Sequence, residues 1–259
     1  MEYTPKEVLE YIREADVKFI RLAMCDKTGK QKNIAIMPSE LSKALEEGVE
    51  IDASPIEGFE GRIILKPDLS TLCELPWRPQ HGRVVHFFCD LLMPDGSAIA
   101  DYPRNILKSI SAGADTAVID QSFYLFTLDE NGCATKVTHD KAGYMDIAPD
   151  DKGENVRREI CLTLERMGIT PVGSHHERGP GQHIVNCAPV KLLTAADNAV
   201  TFRAVVRTIA AQYGLFADFS SAPVSDAPEN SVRLTVNGKE QSGEHFGKDP
   251  YILLADYCR

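Results

Sequence analysis

The chain has 259 residues, 43% of them hydrophobic and 25% charged, and a formal net charge of −10. That length allows one large domain or two modest ones with a core that needs no staples, and the acidic balance argues against binding nucleic acid through bulk electrostatics. The longest apolar runs, such as Val84 to Cys89, are far too short to cross a bilayer, and the start at Met1 has no basic region followed by an apolar one, so no signal peptide is expected. Seven cysteines stand singly, with no Cys-x-x-Cys pair to suggest a zinc site. They read as reduced core thiols of a cytoplasmic protein.

In chain order, residues 5 to 15 carry Val8, Leu9 and Ile12 at helical spacing. Val17 to Met24 and Lys32 to Met37 read as strands joined through Asp26-Lys-Thr-Gly29, a hairpin signal. Ser39 is placed to cap a short helix that stops at Gly48. Arg83 to Leu91 is an apolar strand ended by Pro94-Asp-Gly96. Pro103 sits where a helix would begin, with Ile106, Leu107 and Ile110 as its buried face.

The second part alternates strands and helices. Thr116 to Leu128 reads as a long strand closed by Asp129-Glu-Asn-Gly132. Val156, Ile160, Leu164 and Met167 share one face of a helix that Gly168 would end. Ile169 to Ser174 and Gln182 to Cys187 read as strands, and Thr194 with Asp197 opens a helix burying Phe202, Val205, Val206 and Ile209. Residues 220 to 230, rich in Ser, Ala and Pro, read as loop, and Asn237-Gly238 marks a hairpin after Val232 to Val236. No internal repeat is visible.

Residues 173 to 186 read Gly-Ser-His-His-Glu-Arg-Gly-Pro-Gly-Gln-His-Ile-Val-Asn. This stretch resembles the metal-binding segment of bacterial glutamine synthetases, in which a His-His-Glu run is followed by Pro-Gly-Gln-His-Glu. Further likenesses fall in family order: Asp52-Ala-Ser-Pro-Ile-Glu-Gly-Phe59, Pro67-Asp-Leu69, Phe88-Cys-Asp90, Pro103-Arg-Asn105, Gly143-Tyr-Met-Asp-Ile-Ala-Pro149, Gly153-Glu-Asn155 and Ala196-Asp-Asn198. The resemblance implies an α+β fold, with a β-grasp domain over residues 1–100. It places the first part of the family's α/β catalytic domain over residues 101–259.

The family couples ATP cleavage to the joining of ammonia and glutamate, so the resemblance implies Mg2+ and ATP as cofactors. The metals act by stabilising charge on the transferring phosphoryl group. Both glutamates of the His-His-Glu segment are family metal ligands; here the first is Glu177 and the second position holds Ile184. An isoleucine cannot coordinate a hard cation, which takes oxygen ligands. A family strand with two metal-binding glutamates is matched by Asp120-Gln-Ser122: Asp120 keeps a shortened carboxylate and Ser122 only a hydroxyl. Residual weak metal binding at Asp120 and Glu177 is one reading; polar residues left in a former site is the other. Asp52, Tyr144 and Glu177 match the family's ammonium-pocket positions, set against an ordinary exposed aspartate and a packed tyrosine. His175 and His176, adjacent on a strand, point to opposite faces and make a poor metal pair.

Further on, Ala227-Pro-Glu-Asn-Ser-Val-Arg233 replaces a glycine-rich family run, and Arg233 stands near the place of a metal-binding histidine. Val172 replaces a family glutamate near the nucleotide. The chain stops at Arg259, before the family's later arginines, last metal glutamate and substrate flap. The expectation is a truncated homologue with a defective active site, acting by binding or association. Its expected partners are itself, as a homo-oligomer, or a full-length glutamine synthetase, with no nucleic acid and no membrane. The alternative is a ligase with altered or residual activity on another amine or acid. The apolar ending Tyr251 to Tyr257 is expected either to seek a partner or to fold back as a short packed helix.

Overall fold

The computed structural model describes residues 3–77, 82–111 and 113–258; Met1 and Arg259, named above, lie outside the described residues. The chain divides into two units, Met1–Ala112 with Leu254–Arg259, and Gly113–Leu253.

The first unit opens with α1 (Pro5–Glu14), whose entry is a reciprocal cap. The Thr4 hydroxyl accepts from the Glu7 amide, and the Glu7 carboxylate accepts from the Thr4 amide at 2.7 Å. Strands β1 (Val17–Cys25) and β2 (Gln31–Ile36) form the expected hairpin. Its turn is held by the Asp26 carboxylate, which accepts from the amides of Thr28 at 3.0 Å and Lys30 at 2.9 Å. Then follow α2 (Leu41–Glu47), β3 (Val49–Asp52), β4 (Arg62–Pro67), β5 (Cys73–Glu74), β6 (Arg83–Leu92) and α3 (Pro103–Ile110). The sheet order is β2-β1-β6-β4-β3 with β5 also on β6, and β1 runs parallel to β6. Val8 and Ile12 of α1 pack with Ile20, Leu22, Leu41, Val85 and Phe87 in the core of this unit.

Two local expectations are corrected here. Ser39 does not cap α2, because a 3-10 turn over Pro38–Glu40 precedes it and Glu40 takes the cap position. On α3, Pro103, Arg104 and Leu107 are buried while Ile110 is exposed. The helix turns its Arg104 side inward because that guanidinium meets Asp90 at 2.6 Å and Asp68 at 3.1 Å. A buried cation with two carboxylate partners is tolerated where an unpaired one is not, and apolar spacing alone does not register such a partner.

The second unit is built around the 13-residue β7 (Thr116–Leu128). It continues through β8 (Ala134–Thr138), α4 (Glu154–Arg166), β9 (Pro171–His176), β10 (Gln182–Cys187), β11 (Val190–Lys191) and α5 (Leu192–Gln212). After these come β12 (Leu215–Asp218), β13 (Val232–Val236) and β14 (Lys239–Glu240), and then α6 (Pro250–Tyr257), whose residues from Leu254 on are assigned to the first unit. β7 is long enough to pair with β13 and β12 along one side and with β11, β10 and β8 along the other. The Asn237-Gly238 hairpin forms as expected, with φ of 50° and 73°. α5 begins at Leu192, before Thr194, and buries Phe202, Val205, Val206 and Ile209 as its spacing predicts. The apolar ending is α6 itself: Tyr251, Leu253, Leu254 and Ala255 are buried. The packed alternative therefore holds for that segment.

Candidate metal face and the buried ion network

Strand period sets the site. Asp120, Ser122 and Tyr124 alternate along β7 and share one face. Across the ladder, Ile184 on β10 pairs with Ser122, Gln182 pairs with Tyr124, and Arg233 on β13 pairs with Asp120. His175 on β9 pairs in turn with Ile184. Ser122 and Ile184, the two positions where the resemblance led one to expect carboxylates, are thus direct cross-strand neighbours. Both are buried, Ile184 at 0% and Ser122 at 2% exposure.

The segment before β13 lies over this face. Tyr124 Oη donates to the Pro228 carbonyl at 2.6 Å, and Gln182 Nε2 donates to the Glu229 carbonyl at 3.0 Å. Ser122 Oγ donates to Asn230 Oδ1 at 3.2 Å and accepts from the Ser231 amide at 2.7 Å. Every partner in this set is neutral. Asp120, at the end of the row, accepts from the Cys187 amide at 3.4 Å. Burial raises its carboxyl above the ordinary carboxylate range, against a hydrogen bond from Asn186 and the charge of Arg233. It borders a cavity of about 20 Å³ also lined by Cys187 and Phe202, room for roughly one water.

Glu177 sits in the turn between β9 and β10, its amide donating to the Gln182 carbonyl at 2.7 Å. Its carboxylate lies 3.3 Å from His175 Nε2. The Tyr144 ring meets the His175 ring edge-on at 5.4 Å, and Arg178 stands 6.0 Å from the Tyr144 centroid. Tyr144 is otherwise exposed. His175 thus brings Tyr144 and Glu177 together. Asp52, at the end of β3, belongs to the first unit; hydrogen bonds from the Ser54 hydroxyl and amide hold its carboxyl below the usual range. Val172 is exposed on β9.

The other face of β9 and β10 carries a group that the sequence did not single out. Asp140, Asp151, His176 and His183 are buried, and their ligating atoms lie within 4.8 Å of one another. The hydrogen bonds assign the charges. His176 offers Nε2 to Asp140 Oδ1 at 2.9 Å and Nδ1 to the Glu177 carbonyl at 2.7 Å. Both ring nitrogens face acceptors, so both carry protons. Burial alone would lower the His176 pKa, but its bond to Asp140 leads a set of interactions that raise it. Burial likewise opposes ionisation of Asp140, yet the His176 partner holds that carboxyl well below its usual range. His183 is the opposite case: Nδ1 lies 2.9 Å from Arg157 Nη1, a group that can only donate, so the imidazole is neutral. Burial, then the charge of Arg157, pushes its pKa well down.

Arg157 completes the balance through two bonds to Asp151, at 3.1 and 2.6 Å. Its guanidinium already neutralises the carboxylate that a metal would need, and two imidazoles are poor company for Mg2+. The arrangement is an ion network in which His183 Nε2 and Arg157 Nε, both buried, have no hydrogen-bond partner among the described residues. A period-two signal across the Gly179–Gly181 turn could have found His183 opposite His176; Asp140, Asp151 and Arg157 have no such signal.

Comparison with known proteins identifies the family of this fold. The family model described as "Glutamine synthetase, beta-Grasp domain" matches residues 16–94, and that described as "Glutamine synthetase, catalytic domain" matches residues 103–236. The chain belongs to the glutamine synthetase family. It is 42% identical over 233 residues to a glutamine synthetase of Clostridium saccharobutylicum, covering 86% of this chain and 53% of that one. It is 38% identical over 255 residues to that of Halobacterium salinarum, covering 94% and 56%. A solved glutamine synthetase from Plasmodium falciparum shares the fold, with a TM-score of 0.80 at 21% identity, covering 92% of this chain and 55% of that one. The chain therefore spans little more than half the length of these relatives. The expected α+β fold, a β-grasp domain followed by part of the catalytic domain, holds.

Tested against the metal that the family implies, the side chains do not fit. A hard divalent cation takes several oxygen ligands, and the row Ser122–Ile184 offers a hydroxyl already engaged twice and an aliphatic side chain. Burial raises the pKa of the Asp120 carboxyl, and its cross-strand neighbour is the cationic Arg233.

Proposed function

We propose that this chain is a glutamine synthetase-family protein of nitrogen metabolism that does not itself join ammonia to glutamate, and that acts in the cytoplasm by binding or association. The observation that carries the reading is the buried Ser122–Ile184 pair, which puts neutral groups side by side where two family carboxylates would stand. Residues 1–100 would serve as the β-grasp part and residues 101–259 as the catalytic-domain part of that protein. Its partner would be a second copy or a full-length glutamine synthetase. No helix among the described residues is long and apolar enough to cross a membrane.

Isothermal titration with Mn2+ tests the metal half of the reading. The expected dissociation constant is on the order of 1 mM or weaker, since few anionic oxygens remain. The activity half is tested by glutamine formation from glutamate, ammonia and Mg-ATP, where no turnover is expected. Micromolar Mn2+ binding or turnover, lost in Glu177→Gln, would overturn the proposal. Light scattering tests association: a monodisperse monomer, with no complex on mixing with a complete glutamine synthetase, would remove the binding role.

A second reading, a ligase with altered or residual chemistry on another amine or acid, has one observation in its favour. Tyr144, His175 and Glu177 remain grouped at one turn. Amine-dependent ATP hydrolysis sensitive to Glu177→Gln would favour it.

A further inference from the structure

We infer that residues 228–231 form a latch closed over the β7–β10 face, and that Ser122 is the residue that holds it shut. The inference rests on the reading that this face no longer holds a cation, and it adds what occupies the face instead.

Asn230 is buried. Its Nδ2 donates to the carbonyls of Asp218 at 3.1 Å and Ser220 at 2.9 Å. Both amide hydrogens are thereby used, and Oδ1 is left facing β7 as an acceptor. Ser122 Oγ lies 3.2 Å from that oxygen and 2.7 Å from the Ser231 nitrogen. Gln182 Nε2 also donates to that oxygen, at 3.4 Å, and Ser122 Oγ donates to it more closely while accepting from the Ser231 amide. A hydroxyl does both; an ionised carboxylate can only accept. A glutamate here would face Asn230 Oδ1 with no proton to share, inside a site that Ser122 leaves only 2% exposed. Burying a charge without a counter-ion is costly.

The rest of the latch is fixed by neutral groups of the same face. Pro228 and Glu229 offer their carbonyls to Tyr124 and Gln182, and the Ser122 amide returns a bond to the Ser231 carbonyl at 3.0 Å. Ile184 beside Ser122 adds apolar surface and needs no partner. Absence of a carboxylate at position 122 and closure of the segment are in this view one change: the hydroxyl, which brings no charge to a cation, is the group that holds the chain in its place.

Amide hydrogen exchange of the full chain, without metal, tests this directly. The Ser231 amide donates to Ser122 and reports the latch; the β9–β10 ladder amides report the sheet. Ser122→Glu and Asn230→Ala are each expected to speed exchange at Ser231 tenfold or more, with the ladder within about twofold of wild type, because local opening is decoupled from global unfolding. Ser122→Thr, which keeps the hydroxyl, is expected to stay near wild type. Should Ser122→Glu fail to fold, Asn230→Ala decides the matter alone. Unchanged exchange at Ser231 in Asn230→Ala overturns the inference, as does joint acceleration of Ser231 and the ladder. Failure of the metal reading is a separate result, seen as tight Mn2+ binding by the wild-type chain.

Discussion

At the scale of single residues, close packing around β7 leaves positions where one methyl group matters. A Cβ on Gly179 would collide with the Tyr124 hydroxyl, which holds the Pro228 carbonyl. Gly179→Ala is therefore expected to destabilise the chain by roughly 1–3 kcal/mol, the usual range for overpacking, as read by urea denaturation. Gly173, on the exposed strand β9, has nothing within 4 Å of its would-be Cβ. Gly173→Ala should change stability by no more than about 0.5 kcal/mol. Equal losses for the two variants would show that the Tyr124 contact is not what makes position 179 special. The identities of Glu177, Ser122 and Ile184 are legible in the sequence because a ligand atom is a property of a residue type. That Ser122 and Ile184 are cross-strand neighbours follows only from the register of β7 with β10.

At the scale of elements, α1 and β7 are stabilised in different ways. α1 is short and owes its start to the Thr4–Glu7 box. Thr4→Ala should cost about 1 kcal/mol, the typical loss of an N-cap, and should raise amide exchange in the first turn of α1 first. An unchanged denaturation midpoint would count against the cap. β7 is held by packing: Phe123 is fully buried and touches His183, Phe202 and Phe219. Phe123→Ala should cost about 3–5 kcal/mol, lost transfer energy plus the cavity left behind, and a loss below about 2 kcal/mol would mean that the neighbours collapse into the space. Spacing foretold the extent of β7 and the buried face of α5 because periodicity reports which side meets the core. It misplaced the buried face of α3, where Arg104 is paired inside with Asp68 and Asp90.

At the scale of the whole molecule, the ion network couples stability to pH. His183 has its pKa lowered by folding, so near and below the unfolded value of about 6.5 the unfolded state binds more protons, and stability falls as the pH drops. His176 has its pKa raised; its contribution is complete below about 6.5 and is lost as pH rises through the folded value. The two histidines together place the best stability of this network near pH 6.5. Thermal denaturation from pH 5 to pH 8 should show both slopes, each at most about 1.4 kcal/mol per pH unit. His183→Asn should flatten the acid side and His176→Asn the alkaline side. An acid slope that survives in His183→Asn would assign it to the carboxylates, Asp140 and Asp68 among them, whose lowered pKa values stabilise above the unfolded range and fail as the pH falls.

The sequence by itself determined the family and the α+β class, because ordered motifs are written in residue identity. Tertiary structure alone decided what packs against the Ser122 face of β7. The Asn230 amide is oriented by carbonyls of Asp218 and Ser220 and meets Ser122 from 108 positions away. Arg157 and Asp151 join a network with two histidines across the sheet. Neither pairing has a period or a spacing to announce it. Each depends on where the fold brings a buried polar group and its partner together.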